Sequence, residues 1–105
     1  MSLEQRIVIT GMGAVSPVGL NCRQTFDALT AGKSGIARIT SFDPSAITCQ
    51  IAGEVKGFDP TEYMDRKMAR RIGRYAQFSI AASREAIAQS GLDLGQEDPS
   101  RIACI

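Results

Sequence analysis

No histidine occurs in this 105-residue chain. A thiol or hydroxyl nucleophile would therefore have no imidazole beside it to take its proton, and no histidine is available as a metal ligand. Cysteine is scarce as well: Cys22, Cys49 and Cys104 are an odd number with no paired spacing. That pattern argues against a disulfide framework and for a reducing compartment, and the three are too far apart in sequence to read as a metal set. None has an evident activating charge beside it, so all three are expected to be buried packing residues. No apolar run approaches the ~18 residues of a membrane span. Gly11, Gly13 and Pro17 interrupt the N-terminal apolar stretch, which argues against a signal peptide. Internal repeats and low-complexity tracts are absent too. The expectation is a soluble cytoplasmic protein with no metal and no cofactor.

What is present is an ordinary globular composition, 44% apolar with a net charge of +1, and one local excess of charge. Arg66, Lys67, Arg70, Arg71 and Arg74 place five cations in nine positions with no acid among them. Residues 1–65 carry seven acids and five bases, and residues 75–105 carry four and two, so the excess is confined to this stripe. A single cationic stripe on a mixed surface points to a specific anionic partner more than to bulk coating of nucleic acid. Apolar periodicity predicts a long helix from about Asp59 to Ser90, opened by Asp59 and Pro60 and closed by Gly91, with Asp65 as a second cap at a break near Met64. On that helix the cations fall near the N-terminus, where the dipole disfavours them by about 0.3–1 kcal/mol each. Lys67, Arg70, Arg71 and Arg74 share one face at i, i+3, i+4 and i+7. Asp59, Glu62 and Asp65 are assigned to capping and offset part of this charge. The pattern alone leaves a docking site and a solvated face equally open.

The remaining segments complete a β-α-β-α-β order. Arg6–Thr10 is a β-branched run that predicts a buried strand entering a tight turn at Gly11–Gly13. Asn21 with Gln24 opens a helix with Cys22, Phe26 and Leu29 on one face and Gly32 at its end. Residues 33–48 read as an irregular excursion anchored by Phe42 and Ile47, and Ile51–Val55 alternates like a strand. Ala76–Ala82 is small or apolar nearly all round, the composition of a helix buried between layers. Arg101–Ile105 begins another apolar strand. This order predicts an α/β unit with a mostly parallel sheet. Its apolar faces have too little to cover them, and the chain reads as a fragment. A dinucleotide site at Gly11–Gly13 is disfavoured, because the third glycine position is Ser16 and the next helix opens only near Cys22.

Taken together these segments resemble the β-ketoacyl-[acyl-carrier-protein] synthases, the condensing enzymes of fatty-acid synthesis. The resemblance rests on Arg6–Gly19 (RIVITGMGAVSPVG), Ala31–Ile36 (AGKSGI), Phe42–Pro44, Ile51–Lys56 (IAGEVK), Phe58–Pro60, Asp65–Lys67 and Arg70–Arg71, in that order. It runs along the whole chain, which would cover residues 1–105 of an incomplete N-terminal domain, about the first quarter of a full-length member. It is closest to the synthase II type, and related polyketide ketosynthases stay open. The resemblance implies the α/β thiolase-like fold in α-β-α-β-α layers, a homodimer and a decarboxylative Claisen condensation. In the family a cysteine carries the acyl chain as a thioester, two histidines assist decarboxylation, and backbone amides stabilise the oxyanion. Cys22, Cys49 and Cys104 match no position of that nucleophile motif. No catalytic residue is therefore expected here, and this chain alone is expected to be inactive.

One role does carry over. Lys67, Arg70 and Arg71 match the basic positions by which such synthases dock the acidic recognition helix of acyl carrier protein, acyl- or malonyl-loaded. Arg66 and Arg74 are weaker members of the set, one of which could pair with Asp65 or Glu62 instead. Gly73 departs from the family, where an acidic residue is common, and a bend or a tight backbone contact is expected there. The rival reading is a stand-alone module that binds an acidic protein or nucleic acid. With only Tyr63 and Tyr75 near the cluster, base stacking is disfavoured, so no nucleic acid and no membrane are expected as partners.

Overall fold

In the computed structural model, which describes residues 4–105, the first regular element is helix α1 (Cys22–Thr30). Asn21 caps it by accepting from the Gln24 amide at 2.8 Å, and Gln24 Oε1 accepts in return from the Leu20 amide at 3.0 Å. The reciprocal cap expected from the sequence is thus formed, with its return bond one residue earlier than in a capping box. At the other end Gly32 is left-handed, at φ 73°. The Gly32 amide donates to Leu29 O and the Lys33 amide to Ala28 O, a Schellman closure. The apolar face of Phe26 and Leu29 is exposed, and Ala28 is the residue that α1 buries.

Strands β1 (Ile36–Arg38) and β2 (Ile51–Gly53) form an antiparallel pair, with Ile36 opposite Gly53, Ala37 opposite Ala52 and Arg38 opposite Ile51. The alternation at Ile51–Val55 predicts β2. The three residues of β1 lie inside the stretch read as irregular, because three positions are too few to display a period of two. Phe42 and Ile47 do not anchor that stretch, since both are exposed. Pro44 is buried instead, opening a 3-10 turn (Pro44–Ala46) that Asp43 caps through the Ser45 amide.

The long helix expected from Asp59 to Ser90 is divided into three pieces. Asp59 caps a 3-10 turn (Pro60–Glu62) through the Thr61 amide at 2.9 Å. Asp65 then restarts the chain as helix α2 (Arg66–Arg71), accepting from the Met68 amide at 2.8 Å. A second break follows at Ile72 and Gly73, both in extended backbone, before helix α3 (Arg74–Ser90). The bend expected at Gly73 is therefore a full interruption, favoured by glycine's weak helix propensity. Gly73 O accepts from both the Ala76 and Gln77 amides at 3.1 Å. Gly91, left-handed, ends α3 as expected.

Two strand expectations are not met within the chain. Arg6–Thr10 and Ile102–Ile105 pair with no strand among the described residues, and Ile7 is 97% exposed. The sheet among the described residues is the antiparallel β1–β2 pair, not a parallel one. A β-branched run becomes a buried strand only when neighbours supply both its hydrogen bonds and its cover. The Ala76–Ala82 stretch of α3 is likewise not buried all round: it buries Gln77 and Ala81, while Ser79 is exposed. The cysteines are not buried either, Cys22 being half-buried and Cys49 and Cys104 exposed. A self-contained unit of this length has a radius of gyration near 13 Å, whereas this chain has 17.9 Å. The uncovered apolar faces foreseen from composition are present.

Candidate functional site

The route to the site begins where the N-terminal segment crosses α3. No turn forms at Gly11–Gly13; the tight turn lies at Ser16–Gly19, with Ser16 N donating to Gly19 O at 2.8 Å and Gly19 N to Ser16 O at 3.3 Å. The two earlier glycines instead allow contact with the helix backbone. A Cβ on Gly11 would lie 2.1 Å from Ala86 O, and one on Gly13 would lie 1.7 Å from Ala82 O. Two residues of extended chain advance about 6.6 Å and four residues of helix about 6 Å, so this two-against-four register repeats without strain. The same register sets Met12 N on Gln89 Oε1 at 2.6 Å and Ala14 N on Glu85 Oε2 at 3.0 Å. Side chains of α3 thereby stand in for a strand partner. Glu85 Oε1 also accepts from the Cys22 amide at 2.9 Å, placing a carboxylate at the positive end of α1.

α3 holds α2 in the same manner. Buried Gln77 donates through Nε2 to Ala69 O at 2.9 Å, taking up a carbonyl that the break in the helix would leave free, and Arg84 donates to Tyr63 O. On this support Arg66, Lys67, Arg70 and Arg71 are all exposed. The ion pairs among the described residues are Arg23 with Asp27 and Lys56 with Glu54, so none of these four cations is neutralised at salt-bridge distance. Arg66 lies near Asp59, whose carboxyl is held below its usual range mainly by the Thr61 hydroxyl and amide, with a smaller contribution from Arg66.

The dipole cost assigned to the whole cluster is corrected by the break. Because α2 is six residues long, Arg70 and Arg71 sit in its last turn, where cations are favoured; the cost falls on Arg66 and Lys67 at the start of α2 and on Arg74 at the start of the next helix. The four-residue stripe is also corrected. Arg74 begins a different helix and turns towards the hairpin, donating to Val55 O at 3.0 Å and lying 5.0 Å over the Phe78 ring. Phe78 meets Phe58 edge-on at 4.9 Å, and Phe58 stacks on Tyr63 at 5.4 Å. Arg74 is therefore a clasp between β2's exit and α3, and it pairs with neither Asp65 nor Glu62.

The hairpin has its own clasp, invisible in the sequence. Glu54 accepts from the Thr40 amide and hydroxyl and the Ser41 amide, all near 3.0 Å, and Lys56 Nζ reaches Thr40 Oγ1 at 2.6 Å. Donation from the Thr40 amide, followed by the Ser41 bonds, lowers the Glu54 pKa from the ordinary 4.5 to about 2. A depressed carboxyl stabilises the fold above its ordinary pKa and loses that contribution as pH falls through the folded value. We expect carboxyl NMR to titrate Glu54 near pH 2, with the hairpin loosening between about pH 5 and 2. A titration midpoint above 4 would remove the clasp.

The motif order gave the cations; Glu85, Gln89 and Gln77 gave no motif signal, and Glu54 stood inside the IAGEVK motif without a role of its own. The legible trace of the first pair is their four-residue spacing beside Ala82 and Ala86, small residues on the side that meets two glycines.

Comparison with known proteins decides the family. The family described as "Beta-ketoacyl synthase, N-terminal domain" matches residues 4–105. The chain belongs to this family. It is 43% identical over 99 residues to the 3-oxoacyl-[acyl-carrier-protein] synthase 2 of Vibrio cholerae serotype O1, covering 94% of this chain and 24% of that protein. It is 40% identical over 102 residues to the synthase 2 of Staphylococcus aureus strain COL, covering 97% and 25%. Among solved structures it is similar to the ishigamide ketosynthase/chain length factor, with a TM-score of 0.73 and 34% identity over 82% of this chain and 21% of that one. The ketoacyl synthase domain described here thus spans about a quarter of the length of the curated relatives it matches. Its fold class is the α/β thiolase-like one. No helix among its described residues is long and apolar enough to cross a membrane.

Proposed function

We propose that this chain is the N-terminal portion, residues 1–105, of a 3-oxoacyl-[acyl-carrier-protein] synthase of the synthase 2 type. The whole enzyme elongates fatty acyl chains by decarboxylative Claisen condensation of an acyl-enzyme thioester with malonyl-[acyl-carrier-protein], working as a cytoplasmic homodimer without a cofactor. This portion supplies scaffold and carrier-protein docking, not the catalytic residues. The observation that carries the docking reading is the exposed, unneutralised face of Lys67, Arg70 and Arg71 on a helix held from both ends. Arg66 is a peripheral member of that face. Arg74 is withdrawn from it by its bonds to Val55 and Phe78.

Two measurements test this reading. Affinity of the full-length synthase for acyl carrier protein should fall about tenfold or more between 50 and 500 mM salt, because exposed charge pairs are screened over that range. A flat salt profile, or tighter binding to duplex DNA than to carrier protein, would favour the anion-binding module instead. Arg74→Met should lower stability by about 1–2 kcal/mol through loss of the carbonyl bond and the ring contact. It should leave the carrier KM within about twofold, a rim position remote from the partner being nearly neutral.

A second reading is a polyketide-type ketosynthase, kept beside the first because the solved neighbour is described as a ketosynthase/chain length factor and not as a synthase 2. Analysis of the acyl chains that the full-length enzyme extends separates the two.

A further inference from the structure

The cationic face is not wholly polar. Met68 lies between Lys67 and Arg71 in the sequence of α2 and is 46% exposed. With Asp65, Lys67, Arg71 and Ile72 it lines an open cleft of about 370 Å³. Asp65 is committed to the helix cap through the Met68 amide, and the other lining residues are the apolar Met68 and Ile72 with Lys67 and Arg71, whose side chains carry long aliphatic stems. Both cationic heads remain free of acids among the described residues. Methionine is unbranched and polarizable, and suits a contact that must accept side chains of more than one shape.

We infer that this cleft receives an apolar side chain of the docking partner, one carried between carboxylates on an acidic helix, so that recognition here is a charged rim around an apolar plug. The inference rests on the docking reading above and deepens it. Lys67 and Arg71 are four residues apart in α2 and both line the cleft. Two carboxylates a helical turn apart on the partner would match that spacing and bring the side chain between them onto Met68. Charge complementarity therefore commits the occupant to an acidic helix of the carrier protein, as opposed to a membrane or a second copy of this chain, which would bring its own cations to the same place. Rim charges mainly set the rate of encounter and its salt dependence, whereas a buried apolar contact holds the complex once formed.

The test uses the full-length synthase and its acyl carrier protein, with Met68→Ala, Met68→Gln and the volume-conserving Met68→Leu. Met68→Ala and Met68→Gln should each raise Kd for the carrier about fivefold, as expected for losing a partly buried apolar side chain. Met68→Leu should restore most of the affinity. The decisive reading is salt: the Met68 effect should persist at high salt, where the effect of reversing Lys67, Arg70 and Arg71 fades. Met68→Gln keeps side-chain length and helix propensity, so it reports on the cleft even if Met68→Ala weakens α2. Unchanged affinity in Met68→Gln alongside a large charge-reversal effect overturns the cleft and leaves docking standing. Unchanged affinity in both sets overturns docking and the cleft together. An effect of Met68→Gln that disappears at high salt with the charges also overturns the apolar plug.

Discussion

Reversal of Lys67, Arg70 and Arg71 to glutamate should raise the KM for acyl carrier protein about 100-fold in the full-length synthase. An exposed charge pair contributes about 0.2–1 kcal/mol. Reversal removes three attractions and substitutes three repulsions, about 3 kcal/mol in all, which corresponds to roughly two decades of affinity. Acylation of the enzyme by a small thioester should be unchanged, because the three side chains lie on an exposed helix face, to which the proposed function gives docking and not acyl transfer. An unchanged carrier KM in the triple variant would dispose of the docking assignment. A loss of small-thioester acylation would place these residues in the fold or the chemistry instead of the docking surface.

The second large effect concerns Gly13. In Gly13→Ala the new methyl would lie 1.7 Å from Ala82 O, 2.6 Å from its carbon and 3.1 Å from its Cα, all backbone atoms of α3. No side chain can rotate out of the way, so either the segment lifts or the helix moves. Lifting the segment also breaks the bonds from Met12 N to Gln89 and from Ala14 N to Glu85. The expected loss is about 3 kcal/mol or more, at the upper end of overpacking substitutions. Gly57→Ala is the comparison: Gly57 is left-handed with open space around it, and backbone strain alone costs about 1–2 kcal/mol. Thermal unfolding of the two variants side by side should show Gly13→Ala much the weaker. Equal losses would mean that the segment does not approach α3 so closely.

Local chemistry was legible wherever a few adjacent residues decide the outcome. Asn21 caps the helix it was expected to cap, Asp59 and Asp65 act as caps where expected but of much shorter elements, and Gly32 and Gly91 end the helices they were expected to end. The order of motifs was also enough to point to the ketoacyl synthases, since the glycines and cations recur at defined places along the chain. Misreadings arose where apolar pattern was taken as a fate. Ile7 and Ile9 have the composition of a central strand and no strand beside them, so the run stays exposed among the described residues. The three residues of β1 were too few to show alternation, and the full break at Ile72–Gly73 exceeded what was expected at Gly73, because helical periodicity continues through it.

What the sequence by itself determined is the set of local caps, the concentration of five cations in nine positions and the family. These depend on neighbours within a helical turn or on the order of short motifs. Only the tertiary structure decided that the cations do not act as one stripe. Arg74 is drawn to Val55 O and the Phe78 ring, and Gln77 takes a carbonyl of the preceding helix. The two carbonyls lie 19 and 8 positions away in the chain, whereas Phe78 is a neighbour one helical turn on. A side chain commits to whichever acceptor the fold brings within 3 Å of it, and no spacing rule along the chain specifies that meeting.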